Sequence, residues 1–131
     1  MVVAGLALFD ALSTLQAPVY TVNLGLAASA ASLLLAAGSG GRRFAVEQSS
    51  VLLHQPAGSL AGRDSELQDE RREVEKLHEK VVRLYSEVTG RPEARVRRDI
   101  KEEKVLTAEQ ACEYGLVDAV LPLFDAKEIR A

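Results

Sequence analysis

The chain has 131 residues, enough for one packed domain, and its 47% hydrophobic and 27% charged residues exclude disorder along the whole length. A formal net charge of -3 without a broad basic stripe argues against nucleic acid as the main partner. The longest apolar run, Leu24 to Gly38, falls short of the ~20 residues a spanning helix needs, so no membrane role is expected; the lone Cys112 suits a reducing compartment, and the cytoplasm is the default.

Val2, Leu6 and Phe9, with Leu8, Leu12 and Leu15, recur at helical spacing, so Met1 to Leu15 reads as a helix packed on most of its circumference and stopped by Pro18. Val19 to Leu24 mixes β-branched and aromatic residues with Thr21 and Asn23 and reads as a short strand. A run of small residues begins at Gly25 and leads into a helix from about Ala28 to Ala37, which Gly38 ends. Arg43 to Val46 and Ser50 to His54 read as two more strands, the second apolar until it reaches His54. This order indicates α/β layers in which strand ends carry function.

Ala57 to Gly62, AGSLAG, is a glycine-punctuated extended stretch. Asp64 then caps a long helix that Gly90 ends. Its Leu67, Val74, Leu77, Val81, Leu84 and Val88 follow a seven-residue repeat among charged residues, which suits either an interface between subunits or a helix lying on its own domain. Pro92 opens a shorter helical piece, PEARVRRDI. Thr107 and Gln110 form a capping-box pattern for TAEQACEY, Gly115 ends that helix, and Leu116 to Leu121 reads as a closing strand.

Ser29 stands where a strand turns into a helix. Among alanines, that place suits a cap or a small packing residue, or else a nucleophile with its hydroxyl held out. Such a nucleophile needs a base, usually a histidine oriented by a carboxylate. The chain has two histidines. His78, beside Lys76, Glu79 and Lys80, reads as a solvated surface residue. His54 ends an apolar strand and reads either as a buried structural histidine or as the base.

The stretches TVNLGLAASAAS and RFAVEQSSVLLHQP resemble the serine and histidine signatures of the proteolytic subunit of the Clp (caseinolytic) protease. The resemblance runs from about Val2 to Pro122 and takes in the long charged helix and AEQACEYGLVDAV. It implies a crotonase-like α/β fold, here its C-terminal part: a single peptidase domain over residues 1 to 131 lacking its N-terminal portion, with a handle helix at about 64 to 89. It also implies a serine endopeptidase of the ATP-dependent chambered kind, which hydrolyses peptide bonds of unfolded polypeptides. The expected partners are copies of itself in stacked seven-membered rings and an AAA+ unfoldase ATPase. No metal or other cofactor is called for. Ser29 becomes the nucleophile, His54 the base and the Ala30 N–H an oxyanion donor, while Ala57, Gly58 and Ser59 pair with substrate as a strand.

Three departures from the family pattern stand out. Where the family carries its triad aspartate, RRDIKEEKVLTAEQA has Glu103, with Asp99 as the reserve candidate. Where the family has an acidic residue followed by arginine across the contact between rings, this chain has Lys101 and Glu102, with the signs in exchanged order. A Pro-Gly-Gly turn that supplies the second oxyanion donor would lie just before the matching segment, so a chain cut short or begun late is expected. The alternative function is a catalytically impaired structural ring subunit, or a truncated fragment of such a peptidase.

Overall fold

A computed structural model describes residues 2–54 and 64–122, the side chains of 64–67 excepted. The elements are α1 (Val2–Thr14), β1 (Thr21–Asn23), β2 (Leu26–Ala28), α2 (Ala30–Ala36), β3 (Arg43–Val46), β4 (Ser50–Leu52), α3 (Asp64–Thr89), α4 (Glu93–Lys101), β5 (Val105–Thr107), α5 (Ala108–Tyr114) and β6 (Ala119–Leu121). One sheet is parallel throughout, in the order β1-β3-β6. The second has the order β2-β4-β5, with β2 parallel and β5 antiparallel to β4. This is the mixed α/β architecture expected of a crotonase-like fold.

The two sheets share interrupted strands. The chain steps from β1 to β2 at Leu24–Gly25 and from β3 to β4 at 47–49. Buried Asn23 holds the first step: its Nδ2 donates to the Ser50 carbonyl at 2.9 Å, and its Oδ1 accepts from the Gly25 N–H at 3.2 Å. A desolvated amide is thereby satisfied at the point where ladder bonds lapse. Gly25 is therefore a step between strands rather than a strand's end, and the helix expected from Ala28 begins at Ala30. Residues 26–28 form a strand despite the helix preference of alanine, because pairing with β4 buries Ala27 against the core. Strand β5 has no counterpart among the expected elements. The expected strands at 19–24, 50–54 and 116–121 are each shorter, so His54 lies just past the end of β4.

The core gathers Ala45 of β3, Val51 and Leu53 around β4, Val82 and Tyr85 of α3, Val96 and Ile100 of α4, and Leu116. The expectation for the first helix changes here. Helix α1 buries only Gly5 and Phe9, while Val3 and Leu8 are exposed, so it is not packed on most of its circumference. Helix α3, at 26 residues about 39 Å long, buries its C-terminal half through Val81, Val82 and Tyr85, whereas residues 68–73 are exposed. His78, expected to be solvated, is half-buried, and its Nδ1 is enclosed without a hydrogen-bond partner.

The sequence stop and start signals hold where local chemistry dominates. Thr107 and Gln110 make the expected capping box on α5. Gly115 ends that helix at φ 97, where a Cβ would lie 2.8 Å from the Thr89 carbonyl, so both conformation and space require glycine. Arg43 of β3 donates from Nε and Nη2 to the two carboxylate oxygens of Asp118 at 3.0 and 2.8 Å and from Nη1 to the Gly115 carbonyl at 2.9 Å, locking β3 to the approach of β6. Those donors hold the Asp118 carboxyl below its ordinary range.

Candidate active site

The second sheet delivers the three candidate groups from adjacent strands. Ser29 follows β2, and its N–H donates to the Leu52 carbonyl at 3.2 Å, which continues the β2–β4 pairing by one residue. On the other side, Leu52 of β4 pairs with Val105 of β5, and the Leu53 N–H donates to the Lys104 carbonyl at 2.9 Å. Extending that antiparallel register by one more residue sets His54 opposite Glu103. His54 Nδ1 lies 3.0 Å from Glu103 Oε1, within ion-pair reach, although the two are not aligned as a hydrogen bond.

Each residue has a local reason for its position. Ser29 adopts φ 53 and ψ -121, a backbone shape sparsely populated outside glycine, and stands at the N-cap of α2 without making a side-chain cap bond. The capping role left open by the sequence is therefore not taken. A sharp strand-to-helix turn of this kind presents a serine hydroxyl away from the helix it precedes. Ala30 is the first residue of α2, so its N–H has no acceptor within the helix. Ser29, Ala30 and His54 together line a cavity of ≈ 10 Å³, about room for one water, with Gly5, Val81 and Tyr85 also on its wall. Gly5 is needed there: a Cβ on it would stand 2.7 Å from the Cβ of Ala30.

Glu103 follows the C-cap residue of α4 and sits at φ 52. Its N–H donates to the Ile100 carbonyl at 3.1 Å and the Lys104 N–H to the Asp99 carbonyl at 3.1 Å, the paired bonds of a Schellman turn with glutamate in the usual glycine place. The reserve candidate Asp99 is engaged elsewhere. It is 1% exposed; its Oδ2 accepts from Tyr114 at 2.8 Å and from Arg95 at 2.9 Å, and its Oδ1 lies 3.8 Å from Lys104 Nζ. Burial pushes the Asp99 carboxyl up, but the bonds from Tyr114 and Arg95 outweigh it and hold the carboxyl below its ordinary range. Asp99 thus anchors the turn that carries Glu103.

Lys101 and Glu102 are exposed at the end of α4. Ala57, Gly58 and Ser59 lie outside the described residues. Sequence reasoning missed Ser32 and Tyr85, which meet the Ser29 carbonyl. Tyr85 follows Val81 by four residues and so shares its helix face, a spacing that flags it as buried. Among the described residues no group of three or more His, Cys, Asp or Glu side chains could hold a metal ion, and no helix is long and apolar enough to cross a membrane.

A serine at a strained strand-to-helix turn, an imidazole and a carboxylate at the ends of neighbouring strands, and the first N–H of a helix beside the serine are the groups serine hydrolases use for acyl transfer. The Clp protease family model matches residues 1–123, so the chain belongs to the Clp protease family. It is similar to the ATP-dependent Clp protease proteolytic subunit of Ostreococcus tauri, 43% identical over 119 residues that cover 91% of this chain and 60% of the relative. The subunit of the same description from Chlorella vulgaris is likewise 43% identical over 119 residues, 91% of this chain and 59% of the relative. The chain thus spans about 60% of the length of these relatives.

Proposed function

We propose that the chain acts as a serine endopeptidase subunit of an ATP-dependent Clp-type chambered protease. The observation that carries this reading is the convergence, at the ends of neighbouring strands of one sheet, of Ser29, which makes no side-chain cap bond, His54 and Glu103. Ser29 Oγ attacks the scissile carbonyl while His54 takes its proton, and Glu103 steadies the imidazolium that forms. The Ala30 N–H donates to the oxyanion of the tetrahedral intermediate. His54 then protonates the leaving amine, and water, deprotonated by the same imidazole, releases the acyl chain. Extended substrate pairs by strand addition at Ala57, Gly58 and Ser59.

The same reading makes the partners unfolded polypeptides, an AAA+ ATPase that delivers them, and further copies in stacked seven-membered rings, with Lys101 and Glu102 at the contact between rings. The lone cysteine suits a reducing compartment, and the cytoplasm is the proposed location. A second reading, a catalytically impaired structural ring subunit, draws on the unaligned contact between His54 and Glu103. Hydrolysis of a short fluorogenic peptide separates the two. Cleavage that disappears in Ser29→Ala supports the peptidase; an assembled ring that cleaves neither this peptide nor an unfolded protein with ATPase and ATP supports the structural subunit.

A further inference from the structure

The carbonyl of Ser29 carries more donors than a helix start requires. The Ser32 and Leu33 N–H groups reach it at 3.1 and 3.4 Å, as the first turn of α2 dictates. Two buried hydroxyls reach it as well: Ser32 Oγ at 2.6 Å and Tyr85 Oη at 3.2 Å, and these hydroxyls also touch each other. Two protons serve three contacts: Ser32 donates to the Ser29 carbonyl, while Tyr85 is placed to donate to that carbonyl or to the Ser32 hydroxyl. Burial pushes the Tyr85 phenol up to about 12, so it remains a donor across the working range.

These hydroxyls act on the peptide unit that contains the oxyanion donor. In a trans peptide the C=O of Ser29 and the N–H of Ala30 point in opposite directions, so fixing one fixes the other. Ser29 at φ 53 and ψ -121 has no local preference for this shape, and relaxing ψ would swing the Ala30 N–H away. We propose that Tyr85 and Ser32 are positioning residues that hold the Ser29–Ala30 peptide with its N–H facing the oxyanion. Because Tyr85 belongs to α3, displacement of the long helix is felt at the oxyanion donor. The proposal rests on the acyl-transfer reading of the site.

The test uses Tyr85→Phe, Ser32→Ala and the double variant, with active sites titrated by a fluorophosphonate. Each single variant leaves one hydroxyl in reach of the carbonyl, so kcat per titrated site should fall about threefold. The double variant should lose about thirtyfold or more, exceeding the product of the singles. Affinity for a peptide boronate, whose adduct places an oxygen at the oxyanion position, should fall in parallel, while affinity for the product peptide stays unchanged. A merely structural role would lower melting temperature and titratable fraction but leave kcat per site and the boronate-to-product ratio alone, and that result overturns the proposal. Should Tyr85→Phe fail to fold, Ser32→Ala decides by the same readouts. A wild-type chain that neither titrates nor cleaves overturns the acyl-transfer reading, and the proposal with it; an active wild type with unaltered variants overturns the proposal alone.

Discussion

Replacing Glu103 by glycine and by alanine separates its backbone role from its chemical one. Glu103 occupies the left-handed position of a Schellman turn at φ 52. A residue with a Cβ carries about 1–2 kcal/mol of strain there, offset in the comparison with glycine by about 0.5–1 kcal/mol of extra unfolded-state entropy. Both variants lose the contact with His54, a pair with side chains 34% and 60% exposed and so worth at most about 1 kcal/mol. That loss cancels between them. Glycine should therefore be more stable than alanine by about 0.5–1 kcal/mol, a melting temperature about 2–5 °C higher for a chain of this size. Both should slow acylation of Ser29 strongly, by up to about 10⁴-fold, because His54 loses its orienting carboxylate. Thermal melts and the rate of fluorophosphonate labelling read the two effects. Alanine as stable as glycine refutes the strain reasoning, and wild-type labelling in either variant removes Glu103 from the site.

Gly5→Ala should destabilise the fold by about 1–3 kcal/mol and slow labelling, since its Cβ would stand 2.7 Å from that of Ala30; a variant unchanged in both contradicts the close approach. The folded pKa of Asp99 lies below its ordinary 3.8, so its stabilisation is present above about that pH and drains as pH falls through the lower folded value. Asp99→Asn should flatten that acid limb in a stability-versus-pH series, and an unaltered limb would reassign the sensitivity. If Lys101 and Glu102 face their counterparts across a two-fold contact, Lys101→Glu should weaken association and Lys101→Glu with Glu102→Lys restore it in sedimentation; an unaffected single variant sinks the pairing.

Local chemistry in this chain was legible one residue at a time. The capping box at Thr107, the helix end at Gly115 and the serine at a strand-to-helix join follow from side-chain type and immediate neighbours. The reason the site residues meet lies in register, which no local pattern encodes. Strand β2 is hidden because alanines favour helix until parallel pairing with β4 overrides them, and β5 is only three residues between two helices. The resemblance set Glu103 ahead of Asp99 without a physical reason, which β5 supplies. With it, Glu103 stands opposite His54, while Asp99 turns inward to Tyr114 and Arg95. Ser32 was readable only as a small residue in an alanine run, since its partner Tyr85 is 53 residues away.

The most direct test is where a fluorophosphonate attaches. Peptide mapping by mass spectrometry of the labelled chain should place the adduct on Ser29, with labelling abolished in His54→Ala and strongly slowed in Glu103→Gln. Absence of an adduct on an assembled chain, or labelling of Ser29 that is indifferent to His54, would contradict a site built from the neighbouring ends of β2, β4 and β5.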